Sequence, residues 1–406
     1  MDLYIIKESN RAAAYGIGTY ISELTAALQD SEMNVCMIHL RSDKSKIEQE
    51  GSIRHIYIPS PARFDFSKSR DEQDELYYGD VVLQLQSYIN NTERLVFHLN
   101  SLLNAILAKL LRKAFDCRII VTVHTFNWGF YIFDNLPRLH HIFNEAQPDS
   151  FGERIKKSFE AEKSFFSFMD HIICLSNFMY DVLIRDYGLE SSKVTFIPNG
   201  LVDNYNSTAD IQQLREKWVL PTNEQIILFA GRMDVGKGLA YLLKAFRKVL
   251  SVRPQIRLVI AGEGAFNHYS KESQDICTRI TYTGYLDKPQ LYEWYRIADM
   301  GVVPSLFESF GYAAAEMMMH ELPVVATATS GLDEVVDDSC GLKVPVSAYV
   351  GSVDINTDLL AENILYLLQH PAEAKEMGRN GRKRYLKEFT SEKFRRNMIR
   401  FYQSLQ

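Results

Sequence analysis

The amino-acid sequence predicts an α/β protein with a parallel β-sheet in each half of the chain. Short runs of β-branched and aliphatic residues recur between longer helical patterns, an alternation that is typical of βαβ units. The runs are almost entirely apolar, as expected for strands that helices cover on both faces. The chain also has 406 residues, more than one hydrophobic core usually supports, since single cores stop growing at about 250–300 residues. We therefore expect two Rossmann-like domains.

The apolar runs define the predicted strands. In the first half they are residues 3–6, 34–40, 94–99, 118–124, 171–175 and 193–197. In the second half they are residues 225–230, 256–261, 279–283, 300–304, 323–327 and 341–344. A polar stretch at 204–210 and a loop at 221–224 separate the two sets and predict the linker. We expect an N-terminal domain at residues 1–200, a C-terminal domain at 201–390 and a last helix at 391–406.

Composition restricts the classes of partner. The formal net charge of −6 gives the protein as a whole no electrostatic attraction to nucleic acid or to an anionic membrane. The five cysteines are widely spaced and lack a C-x-x-C pair, which argues against a disulfide framework and a structural zinc site. The first residues lack the apolar core of a secretory signal, and no run approaches the roughly 18 apolar residues of a membrane span. We therefore expect a cytoplasmic protein.

Peripheral membrane contact is an alternative that two basic segments raise. Residues 102–115 form an amphipathic pattern with Lys109, Arg112 and Lys113 at helical spacing, and such a helix can lie on a membrane surface. A second basic pattern at 154–163 precedes two phenylalanines. Because the net charge is negative, we favour crossover helices with solvated basic faces.

Two glycines, Gly16 and Gly18, follow the first predicted strand, close to the point where a helical pattern begins near Gly18. Glycines at a strand-to-helix turn let the backbone approach a phosphate, and the free N–H groups of a helix N-terminus favour an anion. The same residues are also typical of a simple tight turn. The pattern by itself leaves both interpretations open.

A glycine-rich loop with two cations follows the first predicted strand of the second half. Arg232 and Lys237 lie in the run Gly231-Arg232-Met233-Asp234-Val235-Gly236-Lys237-Gly238. Arginine can bind two phosphate oxygens at once, and lysine supplies a compact point charge. A lone pair of cations on a loop is more often solvated, so the phosphate-binding interpretation depends on what else lies nearby.

Two glutamates near another predicted strand strengthen that interpretation. Glu308, Ser309 and Phe310 precede a helix that begins near Gly311, and the N–H groups of Phe310 and Gly311 could hold a phosphate or a sugar hydroxyl. Glu316 lies in that helix among alanines and methionines, which predicts a buried carboxylate that needs a partner. We therefore favour ligand-binding roles, ribose for Glu316 and a sugar for Glu308, over a helix-dipole carboxylate and a surface residue.

At this point the sequence resembles the retaining GT-B glycosyltransferases of family 4, which carry a Glu-x7-Glu signature that Glu308 and Glu316 match in spacing. Six further motifs occur in the family's order: Gly16-Ile17-Gly18-Thr19-Tyr20, Ile197-Pro198-Asn199-Gly200, Gly231-Arg232 with Lys237-Gly238, Ala261-Gly262-Glu263-Gly264, Ser330-Gly331 to Glu334, and Asn380 to Glu388 with Phe389-Thr390. The resemblance implies a GT-B fold, two Rossmann-like domains facing a central cleft, with a last helix that crosses back to the N-terminal domain.

The resemblance also implies roles. Catalytic residues would be His124, Glu308, Arg232 and Lys237, with the histidine near the transferred sugar, although a histidine at a strand end is more often structural. Donor-binding residues would be Gly16, Gly18, Arg232, Lys237, Gly284, Tyr285, Leu286, Glu308, Ser309, Phe310, Gly311 and Glu316, with the nucleobase near Gly284. The chain departs from the family at Tyr15, Thr19 and Ser330, which affects substrate identity more than reaction class.

The implied activity is a hexosyltransferase of EC class 2.4. It would move a sugar from a nucleotide diphosphate sugar to a hydroxyl acceptor (a glycan, lipid-linked glycan, peptide or small molecule) and retain the anomeric configuration. The sequence lacks an Asp-x-Asp metal motif, so we expect no metal and no cofactor. Two alternatives stay open: a non-catalytic GT-B subunit that binds a sugar nucleotide or glycan, and a GT-B sugar-nucleotide epimerase. The nucleotide, sugar, acceptor, linkage and oligomeric state are not predicted.

Overall fold

The protein is represented by a computed structural model, which describes residues 1–8, 16–61, 67–89, 94–101, 104–206, 208, 210–221 and 223–405. The chain forms two compact units. The first comprises Met1–Phe126, Lys157–Gly200 and Ser391–Gln406, and the second comprises Asn127–Lys156 and Leu201–Thr390. The predicted domain boundaries at residues 200 and 390 stay a prediction. Tyr15 of the glycine motif, Leu102 of the amphipathic pattern and parts of both linker stretches lie outside the described residues.

The sheet of the first unit has eight strands among the described residues, in the order β3-β4-β2-β1-β5-β6-β7-β8. All neighbours are parallel except β3 and β4, which form an antiparallel edge. The strands are β1 (Asp2–Glu8), β2 (Asn34–Ser42), β3 (Lys46–Glu50), β4 (Ile53–Pro59), β5 (Leu95–Leu99), β6 (Cys117–Val123), β7 (His171–Cys174) and β8 (Val194–Phe196).

Helices connect these strands as parallel pairing requires. They are α1 (Gly16–Leu28), α2 (Arg70–Tyr88), α3 (Ala105–Ala114), α4 (Asn127–Ile132), α5 (Leu136–Asn144), α6 (Ser150–Phe168) and α7 (Asn177–Arg185), of which α4, α5 and the start of α6 belong to the second unit. Helix α2 begins at a capping box, in which the Ser69 hydroxyl accepts from the Glu72 N–H and the Glu72 side chain accepts from the Ser69 N–H.

The second sheet has seven strands among the described residues, in the order β11-β10-β9-β12-β13-β14-β15, and only its last pair is antiparallel. The strands are β9 (Gln225–Ala230), β10 (Ile256–Ala261), β11 (Ile280–Gly284), β12 (Met300–Val303), β13 (Val324–Ala328), β14 (Gly341–Ala348) and β15 (Val353–Ile355). The remaining helices are α8 (Ile211–Lys217), α9 (Leu239–Val252), α10 (Phe266–Glu272), α11 (Lys288–Ile297), α12 (Tyr312–Met319), α13 (Leu332–Val335), α14 (Thr357–Gln369), α15 (Pro371–Glu388) and α16 (Ser391–Ser404).

The prediction of two Rossmann-like α/β units is confirmed, and each predicted strand overlaps an observed one. Three strands were missed. Strand β3 reads Lys-Ile-Glu-Gln-Glu and is mostly exposed, so it carries no apolar signal, as is common for an edge strand whose charges discourage pairing with another chain. Strand β15 has three residues, and β4 alternates less clearly because two of its seven residues are Arg54 and His55.

The apolar faces of the two basic segments pack within the protein, whereas Lys109 and Lys113 are exposed. Helix α3 turns Leu107, Ala108 and Leu111 into the core, and the Arg112 guanidinium donates to the Asp170 carboxylate at 2.7 and 3.2 Å. Phe165 and Phe166 are buried. No helix among the described residues has the length and apolarity needed to cross a bilayer.

Helix α16 packs against α1 in the first unit, as the resemblance implied for the last helix. The Phe394 ring contacts the Tyr20 ring, with centroids 5.6 Å apart. The Tyr402 hydroxyl lies 2.7 Å from His98 Nδ1, His98 Nε2 lies 2.8 Å from the Thr122 hydroxyl, and that hydroxyl lies 2.9 Å from the Tyr20 hydroxyl. Burial lowers the pKa of His98 to about 3, so the imidazole is neutral and the network carries no charge. This network ties α16 to the centre of the sheet.

We expect Tyr402→Phe to destabilise the first unit by about 1–3 kcal/mol, because the buried His98 nitrogen loses its hydrogen-bond partner. The measurement is the shift of the urea unfolding midpoint of the full chain. Tyr366→Phe is the matched control, since Tyr366 also has a hydrogen-bonded hydroxyl but is 38% exposed. Equal effects of the two substitutions would contradict the assigned importance of the network.

Candidate active site

The loops that follow β9, β10, β11 and β12, four neighbouring strands of the second sheet, are joined to one another by backbone hydrogen bonds. After β9 and β10, the Gly231 N–H donates to the Ala261 carbonyl at 2.9 Å. After β10 and β11, the Gly262 N–H donates to the Gly284 carbonyl at 2.9 Å. The loop after β12 connects to that after β9 through a Leu306 N–H bond of 2.8 Å to the Gly236 carbonyl. Residues from four neighbouring strand ends are thus held together, where open α/β sheets bind ligands.

The two cations predicted from the glycine-rich loop each lie beside a carboxylate. Arg232 Nη2 is 3.1 Å from Asp234 Oδ2, and both side chains are 39% exposed. Lys237 Nζ donates to Glu308 Oε1 at 2.5 Å. Asp234 also accepts from the Lys237 backbone N–H at 3.1 Å, which shapes the turn between the two cations. The structure therefore brings Arg232, Lys237 and Glu308 into one region.

Gly238 ends this turn in the left-handed conformation, with φ of +68°. A Cβ atom at Gly238 would lie 1.8 Å from the carbonyl oxygen of Pro304, in the loop that follows β12. Such a distance requires the backbone to move. The close approach of these two loops, which positions Lys237 next to Glu308, therefore depends on glycine.

Glu308 lies in the loop before α12. Its Oε1 also accepts from the Ser305 hydroxyl at 2.9 Å, and its carbonyl accepts from the Gly331 N–H at 2.8 Å. Ser309 is partly exposed, whereas the Phe310 ring is buried against Phe389. The Phe310 side chain therefore belongs to the core, and only its backbone can contact a ligand.

Helix α12 begins at Tyr312, one residue after Gly311, whose φ is +103°. Glu316 lies in the second turn and is 2% exposed, as its apolar neighbours predicted. Its Oε2 accepts from the Tyr295 hydroxyl at 2.9 Å, and its Oε1 accepts from Lys288 Nζ. Burial and the Glu316 charge raise the pKa of Tyr295 well above its ordinary value. The expected partners of the buried carboxylate are thus a lysine and a tyrosine from α11, which sequence patterns did not identify.

The residues predicted to lie near the nucleobase follow β11. Gly284 has φ of +71°, Tyr285 is 59% exposed and Leu286 is partly exposed. Helix α11 begins just beyond them at Lys288, with Asp287 as its N-cap. The same short segment therefore carries both the predicted base-binding residues and the lysine that contacts Glu316.

The other predicted residues lie in the first unit. His124 follows β6, and its Nε2 is 3.3 Å from Asn100 Oδ1 while its ring meets the edge of Tyr20 at 4.7 Å. Burial lowers the pKa of His124 to about 3, so it is neutral at pH 7. Gly16 and Gly18 lie in the first turn of α1, which begins at Gly16, two residues earlier than the helical pattern predicted. They are therefore helical residues in this structure.

A further carboxylate, Asp134, lies in the second unit and was not predicted. Its Oδ2 accepts from the Ser330 hydroxyl at 2.8 Å. Burial and the nearby Glu308 charge raise its pKa to about 6, although the Ser330 hydrogen bond opposes that shift. Sequence patterns missed it because Asp134 and Ser330 are 196 residues apart in the chain.

The described residues contain no group of three or more histidine, cysteine, aspartate or glutamate side chains arranged to hold a metal ion. Metal independence stays a prediction.

Comparison with known proteins gives two family matches. The profile described as Glycosyltransferase Family 4 matches residues 14–204, and the one described as Glycosyl transferases group 1 matches residues 210–384. A D-inositol 3-phosphate glycosyltransferase of Xylanimonas cellulosilytica is 24% identical over 86% of this chain and 84% of its own length. An uncharacterized glycosyltransferase of Methanocaldococcus jannaschii is 30% identical over 41% of this chain, and the match spans 44% of that protein.

Solved structures show the same fold over the whole chain. Sucrose-phosphate synthase from Thermosynechococcus elongatus matches with a TM-score of 0.79 at 24% identity, covering 100% of this chain and 98% of that one. The Anabaena protein HepE, solved in complex with UDP and glucose, matches with a TM-score of 0.73 at 15% identity, covering 99% of each chain.

Gly238→Ala should destabilise the second unit by more than about 2 kcal/mol, because two costs add up. The left-handed conformation costs an alanine about 1–2 kcal/mol, and its Cβ atom would also clash with the Pro304 carbonyl oxygen. Gly188→Ala is the matched control: its φ is +70°, and among the described residues no neighbouring atom lies within 4 Å of the added Cβ. Urea unfolding midpoints of the two variants would show the difference. If the two variants lost the same amount of stability, the loops that carry Gly238 and Pro304 could move apart without cost.

Asp134→Asn should stabilise the protein at pH 7.5, and the gain should shrink at pH 4. The folded-state pKa of Asp134 is raised from 3.8 to about 6, so the folded state holds its proton more tightly and wild-type stability falls as pH rises through that window. Asparagine removes the charged form and keeps an acceptor for Ser330. Thermal midpoints at both pH values test this, and a gain of the same size at pH 4 would contradict it.

Proposed function

Because the chain belongs to the family 4 glycosyltransferases of the GT-B type, we propose that it transfers a sugar from a nucleoside diphosphate sugar to a hydroxyl acceptor. We further propose that it retains the anomeric configuration and needs no metal. The observation that carries the proposal is a set of charged side chains in the loops and helix that follow the strands of the second sheet: Arg232 beside Asp234, Lys237 paired with Glu308, and Glu316 buried in α12. It supplies cations for a diphosphate and carboxylates for hydroxyl groups.

The two cations account for the leaving group. Departure of a nucleoside diphosphate develops negative charge on its phosphate oxygens, and preorganised cations stabilise that charge without having to reorganise. Arg232 is 39% exposed and Lys237 is 26% exposed, so both heads are accessible to a ligand. Their present partners, Asp234 and Glu308, hold the side chains in place until a stronger anion arrives.

Glu316 fits a ribose. Each carboxylate oxygen has two lone pairs, so Oε1 and Oε2 can each accept one more hydrogen bond beside those from Lys288 and Tyr295. The Lys288 side chain is 47% exposed and covers the 2% exposed carboxylate. Binding of a vicinal diol at Glu316 therefore requires the lysine head to shift, which its four-carbon stem allows.

For the chemical step we propose attack from the face that the diphosphate leaves. The bond between the anomeric carbon and the phosphate oxygen breaks, the acceptor oxygen bonds to that carbon, and the acceptor proton passes to the departing phosphate. His124 of the first unit is neutral, so it can donate or accept a hydrogen bond without adding charge. No side chain is assigned as a covalent nucleophile.

We infer a reducing, cytoplasmic setting from the cysteines. All five are free thiols, four of them are buried, and burial raises the pKa of Cys36 and Cys340 to about 12, which keeps those thiols protonated and unreactive.

Nucleotide binding tests the proposal. We expect one of UDP, GDP or ADP to raise the thermal midpoint, with and without EDTA, and Glu316→Gln to lower its affinity at least tenfold through loss of charged hydrogen bonds worth about 1.5–3 kcal/mol each. Glu224→Gln is the matched control, because Glu224 is also a largely buried, paired carboxylate of the second unit but lies beside Arg257 and Arg279.

The control should lose stability and keep its nucleotide-induced shift. If no nucleotide stabilises the wild type, the proposed donor is wrong. If EDTA abolishes the shift, the proposed metal independence is wrong. If a nucleotide binds but no sugar is transferred or hydrolysed, the non-catalytic alternative is favoured.

A further inference from the structure

The segment that carries Asp134 is held firmly in a strained conformation in the second unit. Phe133 and Asp134 both have positive φ values, +55° and +52°. The Phe133 ring packs against Phe307 with centroids 6.0 Å apart, and the Asn135 amide donates to the Tyr349 carbonyl at 2.6 Å. Left-handed residues other than glycine cost free energy and persist only where their surroundings fix them. The surroundings here fix Asp134 on both sides.

Asp134 is connected to Glu308 through one turn. Ser330 donates to Asp134, and Ser330 itself has φ of +41°. The next residue, Gly331, donates its N–H to the Glu308 carbonyl at 2.8 Å and leaves no space for a side chain, since an added Cβ would lie 2.2 Å from the Ser309 oxygen. The carboxyl group of Asp134 is therefore held near the loop that carries Glu308.

The carboxylates of Glu308 and Asp134 differ in whether a cation lies beside them. Glu308 has Lys237 at 2.5 Å, whereas Asp134 forms no ion pair with the described residues and has Ser330 as its hydrogen-bond donor. Glu308 raises the pKa of Asp134 after burial, so the two negative charges act on each other. A carboxylate that has no cation of its own and lies near a second carboxylate lowers the stability of the folded protein. Such costs are common at binding sites and rare elsewhere.

We propose that Asp134 is a specificity-determining residue of the donor site, which together with Glu308 selects an uncharged sugar and rejects an acidic one. The proposal rests on the proposed function, since it concerns the sugar of a nucleoside diphosphate donor. Sugar hydroxyls donate hydrogen bonds to carboxylate oxygens, so they could add donors to the one that Ser330 gives to Asp134. The carboxylate of a uronic acid would instead meet two like charges, which is an effective way to exclude a competing ligand.

A purely structural role for Asp134 is the competing explanation, and asparagine separates the two. Asp134→Asn keeps an oxygen that can accept from Ser330 but removes the charge. Ser330→Ala removes the same hydrogen bond but keeps the charge of Asp134. If Asp134 only supports the turn, Ser330→Ala should be the more damaging change and neither should alter the choice between sugars.

The experiment measures dissociation constants by calorimetry for free UDP, UDP-glucose and UDP-glucuronate, and in parallel for GDP, GDP-mannose and GDP-mannuronate. We expect the wild type to bind the neutral conjugate of one nucleotide at least about tenfold more tightly than its acidic partner, about 1.4 kcal/mol. Asp134→Asn should reduce that ratio by about tenfold and change the affinity for the free nucleotide less than twofold. Glu224→Gln, the control outside the site, should leave the ratio unchanged.

Several results would overturn the proposal. One is an unchanged ratio in Asp134→Asn. If Ser330→Ala then weakens free-nucleotide binding more than Asp134→Asn does, the role of Asp134 is structural support alone. Another is a loss of free-nucleotide affinity in Asp134→Asn as large as its loss of affinity for the neutral conjugate. A third is a wild type that prefers the acidic sugar or binds no conjugate more tightly than the free nucleotide. In each of these the nucleotide still binds. Failure of every nucleotide to bind is a separate result, and it would refute the proposed function itself.

Discussion

A carboxylate removed from water needs a cation or hydrogen-bond donors nearby, and this requirement organises the strand-end loops of the second sheet. Glu316 is 2% exposed and depends on Lys288 and Tyr295 from the neighbouring helix. Glu308 depends on Lys237, which reaches it because Gly238 lets two loops approach. Each of these carboxylates therefore has a lysine within hydrogen-bonding distance. The hydroxyl groups of a nucleoside diphosphate sugar, the proposed donor, could take the place of these partners as hydrogen-bond donors to the two carboxylates.

The first unit also contains a buried polar network that is built from neutral groups. Tyr20, His98, Thr122 and Tyr402 form a continuous hydrogen-bonded series in which burial keeps the pKa of His98 near 3. Such a network adds geometric precision without the desolvation cost of an ion pair. The neutral His124 next to Tyr20 extends the same chemistry towards the end of β6. The polar centre of the first sheet is therefore uncharged, whereas the strand-end loops of the second sheet contain paired charges.

Sequence patterns predicted the fold and picked out four candidate site residues because those features are local. Strands β9 and β10 were predicted with the observed bounds, since each is a continuous apolar run between turns. Arg232, Lys237, Glu308 and Glu316 stand out through their positions after strands or within an apolar helix. Lys288, Tyr295 and Asp134 carry no such signal. Their partners lie 21 to 196 residues away, so only the folded chain shows what they contact.

The contact between Tyr402 and His98 spans 304 residues, and this has a consequence for biosynthesis. The strands of the first unit leave the ribosome early, but the helix that completes their core follows the second unit in the chain. Until then, His98 Nδ1 lacks its partner Tyr402, and the face of the first unit that α16 covers stays exposed. The stretch Leu201–Thr390 can fold as soon as it has emerged, because its strands are contiguous. We expect the nascent first unit to be the species that chaperones protect.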